Sequence, residues 1–247
     1  NPSHVHHCKQ RNESGSNRVK NLAILHKKCH EKLHKKGLKL NEYGLLKNDS
    51  AVTGLNEAGI FKALGLSYIE PELREDTGEI ELALKSVLPR LIELKDILGD
   101  LHIHSTWSDG YNSIKELANT AKNLGYSYIA VTDHSQSLKV AHGLNIADLK
   151  KKKKEIEKIN SSIKGIRVLF GTEVDIDSSG NIDYPDSILK EFEIVIGAIH
   201  SGFKQPKEQL TKRIVKACLN KYVHIIAHPT GKLWGIREAY DIDFEQI

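Results

Sequence analysis

The chain has no methionine, and it is poor in aromatics, proline and cysteine: of 247 residues, 6% are Phe, Trp or Tyr, 6 are Pro and 3 are Cys. It begins at Asn1, and together with the missing Met this reads as a piece of a longer protein. Cys8, Cys29 and Cys218 show neither a disulfide framework nor a thiolate metal spacing. That excludes a disulfide-stapled secreted scaffold and fits a reducing, cytoplasmic compartment. No apolar run approaches the ~18–20 residues of a membrane span, and the polar, histidine-rich N-terminus is no signal peptide. Residues 1–98 contain no Asp-x-Asp, so the paired carboxylates of a polymerase palm are absent there. The remaining composition, 39% hydrophobic and 28% charged, is that of a soluble globular protein with one large domain, or a medium domain and a small one.

Charge is unevenly spread. Residues 1–50 hold 11 Lys and Arg against 4 Asp and Glu, so the remainder of a chain with net charge +4 is acidic. A basic segment beside an acidic body fits a nucleic-acid contact next to a metal-binding body, and equally an ordinary solvated basic helix.

Histidine is what the chain has in a pattern. His102 and His104, with Asp109, lie in Gly99-Asp-Leu-His-Ile-His-Ser-Thr-Trp-Ser-Asp-Gly110; His134, Glu173, His200 and His228 each follow an apolar run. Those runs read as strands at about 99–103, 128–133, 166–173, 194–199 and 223–227. In a parallel β/α barrel the C-terminal strand ends converge on one mouth, where active sites are built. Imidazole and carboxylate together suit Zn, Mn or Fe, and seven such groups exceed what one open catalytic ion takes. A cluster of two or three divalent ions is the implied cofactor, and such clusters activate water for phosphoryl displacement. His102 and His104, two apart on a strand, point the same way.

The spacing predicts helices between those strands. Ser113 and Glu116 form a capping box ahead of Ile114, Leu117, Ala118, Ala121 and Leu124. Further helices read over about 147–163, 185–192 and 207–219. Upstream, the apolar face of Val19, Leu22, Ala23, Cys29 and Leu33 predicts a helix over 17–36 stopped by Gly37. Short extended segments follow over 38–46, then a helix over 57–64 capped by Asn56. The expected organisation is a small basic unit over 1–71, a charged linker over 72–98 and an α/β unit over 99–247.

The quoted motif around His102 and His104, with Thr132-Asp-His-Ser135, Gly171-Thr-Glu-Val-Asp175, His200-Ser-Gly-Phe203 and Ala227-His-Pro-Thr-Gly231, resembles the PHP (polymerase and histidinol phosphatase) domain. The nearest version is the one fused to bacterial and archaeal family X DNA polymerases. Ser14-Gly-Ser16, Gly37-Leu-Lys-Leu-Asn-Glu-Tyr-Gly-Leu45 and Pro71-Glu-Leu-Arg-Glu-Asp76 resemble the end of that family's polymerase core, although Asn12 and Glu13 stand where the family has two aromatics. The resemblance implies a (β/α)7-type barrel, here incomplete, with about two strands, and an Asp and a His on them, beyond Ile247. It implies His102, His104, Asp109, His134, Glu173, His200 and His228 as metal ligands, with Glu173 bridging two ions. Glu173, His200 and His228 are then the one ligand set whole in this chain, and the residues expected to carry catalysis.

The remaining signals read more plainly. Asp175 and Asp177 read as turn residues closing a strand. His4, His6, His7 and Cys8 read as polar irregular chain, and His26, His30 and His34 as a solvated or DNA-facing stripe. Lys150–Lys154 reads as a solvated helix face. Lys232 and Arg237, in the loop after His228, are candidates to hold a substrate phosphate. The expected function is a metal-dependent phosphoesterase acting on DNA ends in repair, a 3′→5′ exonuclease or 3′-end-processing enzyme, with DNA 3′ ends or gaps as partner and no membrane. The alternatives are a small-molecule phosphatase of the histidinol-phosphate type and a non-catalytic DNA-binding module.

Overall fold

Four of the five apolar runs that precede the histidines and Glu173 are strands of four residues or more, and the fifth is a short one. In the computed structural model, which describes residues 56–247 and, upstream, residues 3–7, 22–26, 35, 37–41, 44–48, 50 and 51, the chain separates into two compact units, Asn1–Leu91 and Ile92–Ile247.

In the first unit β1 (Ser3–His7) pairs antiparallel with β2 (Leu22–His26), in a register that sets Val5 opposite Ile24. Leu22–His26 is therefore extended, and the helix expected over 17–36 is corrected there; its other residues, Lys35 apart, lie outside the described ones. The run Leu22-Ala-Ile-Leu25 is short and wholly apolar, a pattern that helix and strand share. β3 (Leu38–Asn41), β4 (Gly44–Lys47) and β5 (Ser50–Ala51) form an antiparallel sheet. α1 (Glu57–Leu64) is capped by the Asn56 side chain, which accepts from the Gly59 amide at 3.0 Å. Ile60, Phe61 and Leu64 of α1 share a buried core with Leu38, Leu66, Ile69, and Ile80 and Ala83 of α2 (Glu79–Leu84).

The second unit is α/β. β6 (Gly99–Ile103), β7 (Tyr128–Val131), β8 (Arg167–Asp175), β9 (Ile194–Ala198) and β10 (Ile225–Ile226) are parallel neighbours in sequence order. They make a curled half-barrel, an incomplete form of the expected barrel. Helices α3 (Ile114–Asn123), α4 (Ile146–Ser162), α5 (Asp186–Leu189) and α6 (Lys207–Cys218) are the crossovers. At α3 the Glu116 amide donates to Ser113 Oγ at 3.3 Å and the Ser113 amide to Glu116 Oε2 at 2.8 Å, the capping box read from sequence. Ile114, Ala118 and Ala121 of α3 and Leu149, Ile156 and Ile159 of α4 pack with Ile129, Val131, Val168 and Val195 of the sheet. The lysine run is not uniformly solvated: Lys152 lies on the buried stripe of α4 with Leu149 and Ile156, three and four residues away, because helical period turns it inward.

Candidate metal centre

Parallel strands in one layer put their C-terminal ends on one edge, and Glu173 is buried near the end of β8, in the middle of that edge. Five imidazoles surround it. Its Oε2 lies 3.3 Å from His102 Nε2, 3.3 Å from His104 Nε2 and 3.0 Å from His134 Nδ1. Its Oε1 lies 3.4 Å from His200 Nε2 and 2.9 Å from His228 Nε2. Asp109 reaches the same cluster, 3.1 Å from His104 Nδ1 and 3.6 Å from His134 Nε2. All seven residues read from the sequence line one cleft.

Burial alone would raise the Glu173 carboxyl, but hydrogen bonds from His102, His104, His200 and His228 outweigh it and hold the group well below the usual carboxylate range. Burial would lower His200, yet Asp175 and Glu173 raise it to about 9. Burial also depresses His134.

The donor set fits metal ions better than it fits itself. A carboxylate offers about four lone-pair directions, fewer than the five rings crowding it. The buried Nδ1 atoms of His104 and His134, though close to carboxylates, make no aligned hydrogen bond. More ring nitrogens than one carboxylate can accept from, two of them without a hydrogen-bond partner, are what a cation satisfies. Among the described residues, three groups have ligand atoms all within 4.8 Å of one another: His102, His104 and Glu173; His104, Asp109 and His134; His134, Glu173 and His200. The set expected to be whole, Glu173 with His200 and His228, meets at the one oxygen Oε1.

Several supporting residues escaped the sequence reading. Asp175 is more than a turn residue: its Oδ1 lies 2.5 Å from His200 Nδ1, and this contact orients the ring so that Nε2 faces Glu173. Asp133, beside His134, accepts from the Ser105 amide at 2.7 Å, Ser105 Oγ at 2.9 Å and Ser108 Oγ at 2.8 Å, and pairs with Lys152 at 2.8 Å. Burial would raise the Asp133 carboxyl, but the Lys152 ammonium brings it below its ordinary range. The loop bearing Asp109 is thereby tied to the sheet. Gly110 closes it, donating its amide to Ser105 O at 3.0 Å; a Cβ there would stand 2.3 Å from His104 O. His228 has φ +30°, a strained conformation for a non-glycine residue and one that concentrates at functional sites. The signals were faint but present: Asp133 abuts a ligand, and Lys152 is in phase with Leu149 and Ile156.

Lys232 and Arg237 do not line the cleft. Lys232 pairs with Glu238 at 3.3 Å and covers the Trp234 ring, while Arg237 stacks on Phe203 and donates to Gly231 O at 2.7 Å.

The PHP domain family matches residues 100–236, which hold all seven clustered residues. The chain belongs to the PHP domain family. Upstream of the PHP unit, the DNA polymerase beta thumb family matches residues 24–75 and the HNH endonuclease family residues 1–36. Gly37–Leu45 falls within the thumb match; Ser14–Ser16 falls outside it and within the HNH match. The chain is 46% identical over 214 residues to the DNA polymerase/3′-5′ exonuclease PolX of Bacillus subtilis (strain 168), a match covering 86% of this chain and 37% of that protein. It is 35% identical over 154 residues to a probable phosphatase of Thermoanaerobacter sp. (strain X514), 60% of this chain and 58% of that one. A probable phosphatase of Acetivibrio thermocellus is 32% identical over 153 residues, again 60% of this chain and 58% of the relative. The chain thus spans little more than a third of PolX and over half of these phosphatases. Among the described residues no helix is long and apolar enough to cross a membrane.

Proposed function

We propose that the PHP unit is a metal-dependent phosphoesterase acting on DNA ends, a 3′→5′ exonuclease or 3′-end-processing activity serving repair in the cytoplasm as part of a family X DNA polymerase. The observation that carries this reading is the convergence of five imidazoles on the buried Glu173 carboxylate. His102, His104, Asp109, His134, Glu173, His200 and His228 would hold divalent ions, two or three of Zn, Mn or Fe in a complete barrel. Bound there, such ions activate water and stabilise charge at phosphorus and at the leaving oxygen. Glu173 would be shared between ions, and His200 and His228, both beside its Oε1, would help hold one of them. Asp175 fixes the His200 tautomer. DNA as substrate is supported by the likeness to PolX, whose name carries a 3′-5′ exonuclease, and by the thumb match.

The probable phosphatases among the relatives favour a second reading, a small-molecule phosphatase. Incubation of the chain with Mn2+ or Zn2+ and a 5′-labelled oligonucleotide, beside p-nitrophenyl phosphate, separates the two. The DNA reading expects a ladder shortened from the 3′ end; hydrolysis of the monoester with intact DNA overturns it.

The HNH match supports a separate reading for residues 1–36, a nuclease-type metal site drawing on His4, His6, His7 and Cys8, which read from the sequence as polar irregular chain. His7→Ala then removes endonucleolytic nicking of duplex DNA and leaves release from 3′ ends unchanged; nicking that survives the substitution sinks that reading.

A further inference from the structure

We propose that Tyr111 is a stacking platform for the terminal nucleobase of a nucleic-acid end whose phosphate lies at the metal-ligand cluster. This rests on the DNA reading of that cluster and adds how the substrate's base is held.

Tyr111 is 98% exposed, yet it lines the same cleft as the seven clustered residues, two positions after Asp109. Single exposed apolar residues are ordinary; an aromatic ring left bare at the mouth of a cleft lined by five histidines and two carboxylates is a candidate ligand contact. Its loop is firmly held. The Thr106 amide donates to Asn112 O at 3.0 Å, the Gly110 amide to Ser105 O at 3.0 Å, and Ser105 and Ser108 are both anchored on the buried Asp133. The ring is therefore presented on a fixed backbone, and a ligand that stacks on it orders little beyond two torsions.

The wall around Tyr111 has the same character. Leu138, Val140 and Ala141 also line the cleft, and Val140 is 86% exposed. The two cations in the loop after His228 are turned elsewhere, Lys232 to Glu238 and Trp234, Arg237 to Phe203. Among the described residues the cleft thus combines a metal-ligating floor with an apolar, aromatic lip. A small phosphate monoester without a ring has nothing to offer that lip. A nucleotide does: its phosphate suits the floor, and its flat base, one sugar away, suits an aromatic face. Stacking accepts any base, since every base has a π-face. The platform would therefore recognise an end without reading its sequence.

The test measures binding of the full chain, with Mn2+, to 5′-fluorescein-labelled single-stranded DNA by fluorescence anisotropy. Two 3′ ends are compared, one with a terminal adenine and one with a terminal abasic residue, both with hydrolysis-resistant phosphorothioate linkages. Wild type is expected to favour the adenine end by roughly 5- to 150-fold, the range of base–aromatic stacking. Tyr111→Ala removes that preference without weakening the abasic end, and Tyr111→Phe retains it. Tyr111 is exposed, so an unchanged near-ultraviolet circular dichroism spectrum is expected of both variants. A wild type that binds DNA but ranks the ends equally, or a Tyr111→Ala chain that keeps the preference, overturns the platform and leaves the DNA reading standing. A wild type that binds neither end overturns both.

Discussion

Lys152 Nζ and Asp133 Oδ2 are 2.8 Å apart, and both side chains are fully buried beneath the candidate metal centre. Lys152 also donates to Val131 O at 2.9 Å and Gly171 O at 3.0 Å, so all its donors are used within β7, β8 and the adjoining turn. The pair ties α4 to the strands whose ends carry His134 and Glu173. Removing one partner of such a pair leaves an uncompensated buried charge, which costs about 3–5 kcal/mol. Lys152→Met is therefore expected to lower the urea-unfolding free energy by about that amount. Lys151→Ala, on the exposed side of the same run, should change it by less than about 0.5 kcal/mol. Equal effects from the two substitutions would show that the buried pair contributes nothing special.

Asp175→Asn tests the carboxylate behind a ligand. Its Oδ1 sits 2.5 Å from His200 Nδ1 and its Oδ2 3.1 Å from Ser137 Oγ. An amide is a weaker acceptor and can turn its NH2 toward the ring, which favours the wrong tautomer. Loss of such a partner weakens metal affinity by about 10- to 100-fold. Titration with Zn2+ in a calorimeter should show that drop with little change in unfolding midpoint. Unchanged affinity would reduce Asp175 to the turn residue that its sequence context implies.

Gly110→Ala probes the loop rather than a ligand. The added methyl would stand 2.3 Å from His104 O, and it meets backbone, which cannot swing away. The loop must shift, carrying Asp109 from His134 and His104. The expected result is weaker metal binding with the helices retained by circular dichroism; wild-type affinity would mean that the loop yields without moving Asp109.

The clustering of His102, His104, His134, Glu173, His200 and His228 was legible because period and chemistry agreed: they lie in or just after apolar runs, and parallel strands deliver such positions to one edge. Asp133, Asp175 and Lys152 were less legible, since a carboxylate beside a histidine and a lysine in a lysine run both have commoner explanations. Lys152 needed the phase of α4, set by Leu149 and Ile156, to separate it from its neighbours. The upstream segment failed for a different reason. Leu22–Leu25 fits a helix face as well as a strand, and pairing with Ser3–His7 across the intervening chain decides between them, a long-range choice that local spacing does not encode. The platform at Tyr111 has no sequence signature, because exposure is set by how its loop folds back.

Glu173 offers the sharpest test of the centre. Its two oxygens touch five imidazoles, and it belongs to two of the three compact ligand groups found among the described residues; His104, Asp109 and His134 form the third without it. Glu173→Ala therefore dismantles two groups while leaving the third. Elemental analysis after equilibration with Mn2+ or Zn2+ should find more ions per wild-type chain than per variant chain, and at most one in the variant. Bound ions stabilise the fold by mass action, about 2.7 kcal/mol at a hundredfold excess over the dissociation constant. Adding metal should thus raise the unfolding midpoint of the wild type and move that of Glu173→Ala little. Phosphoester hydrolysis by the wild type should disappear in the variant and on chelation. Circular dichroism of the metal-free proteins should coincide, which separates loss of ions from loss of fold. A variant that keeps wild-type metal content, or wild-type turnover, would remove Glu173 from the centre and with it the bridging role assigned here.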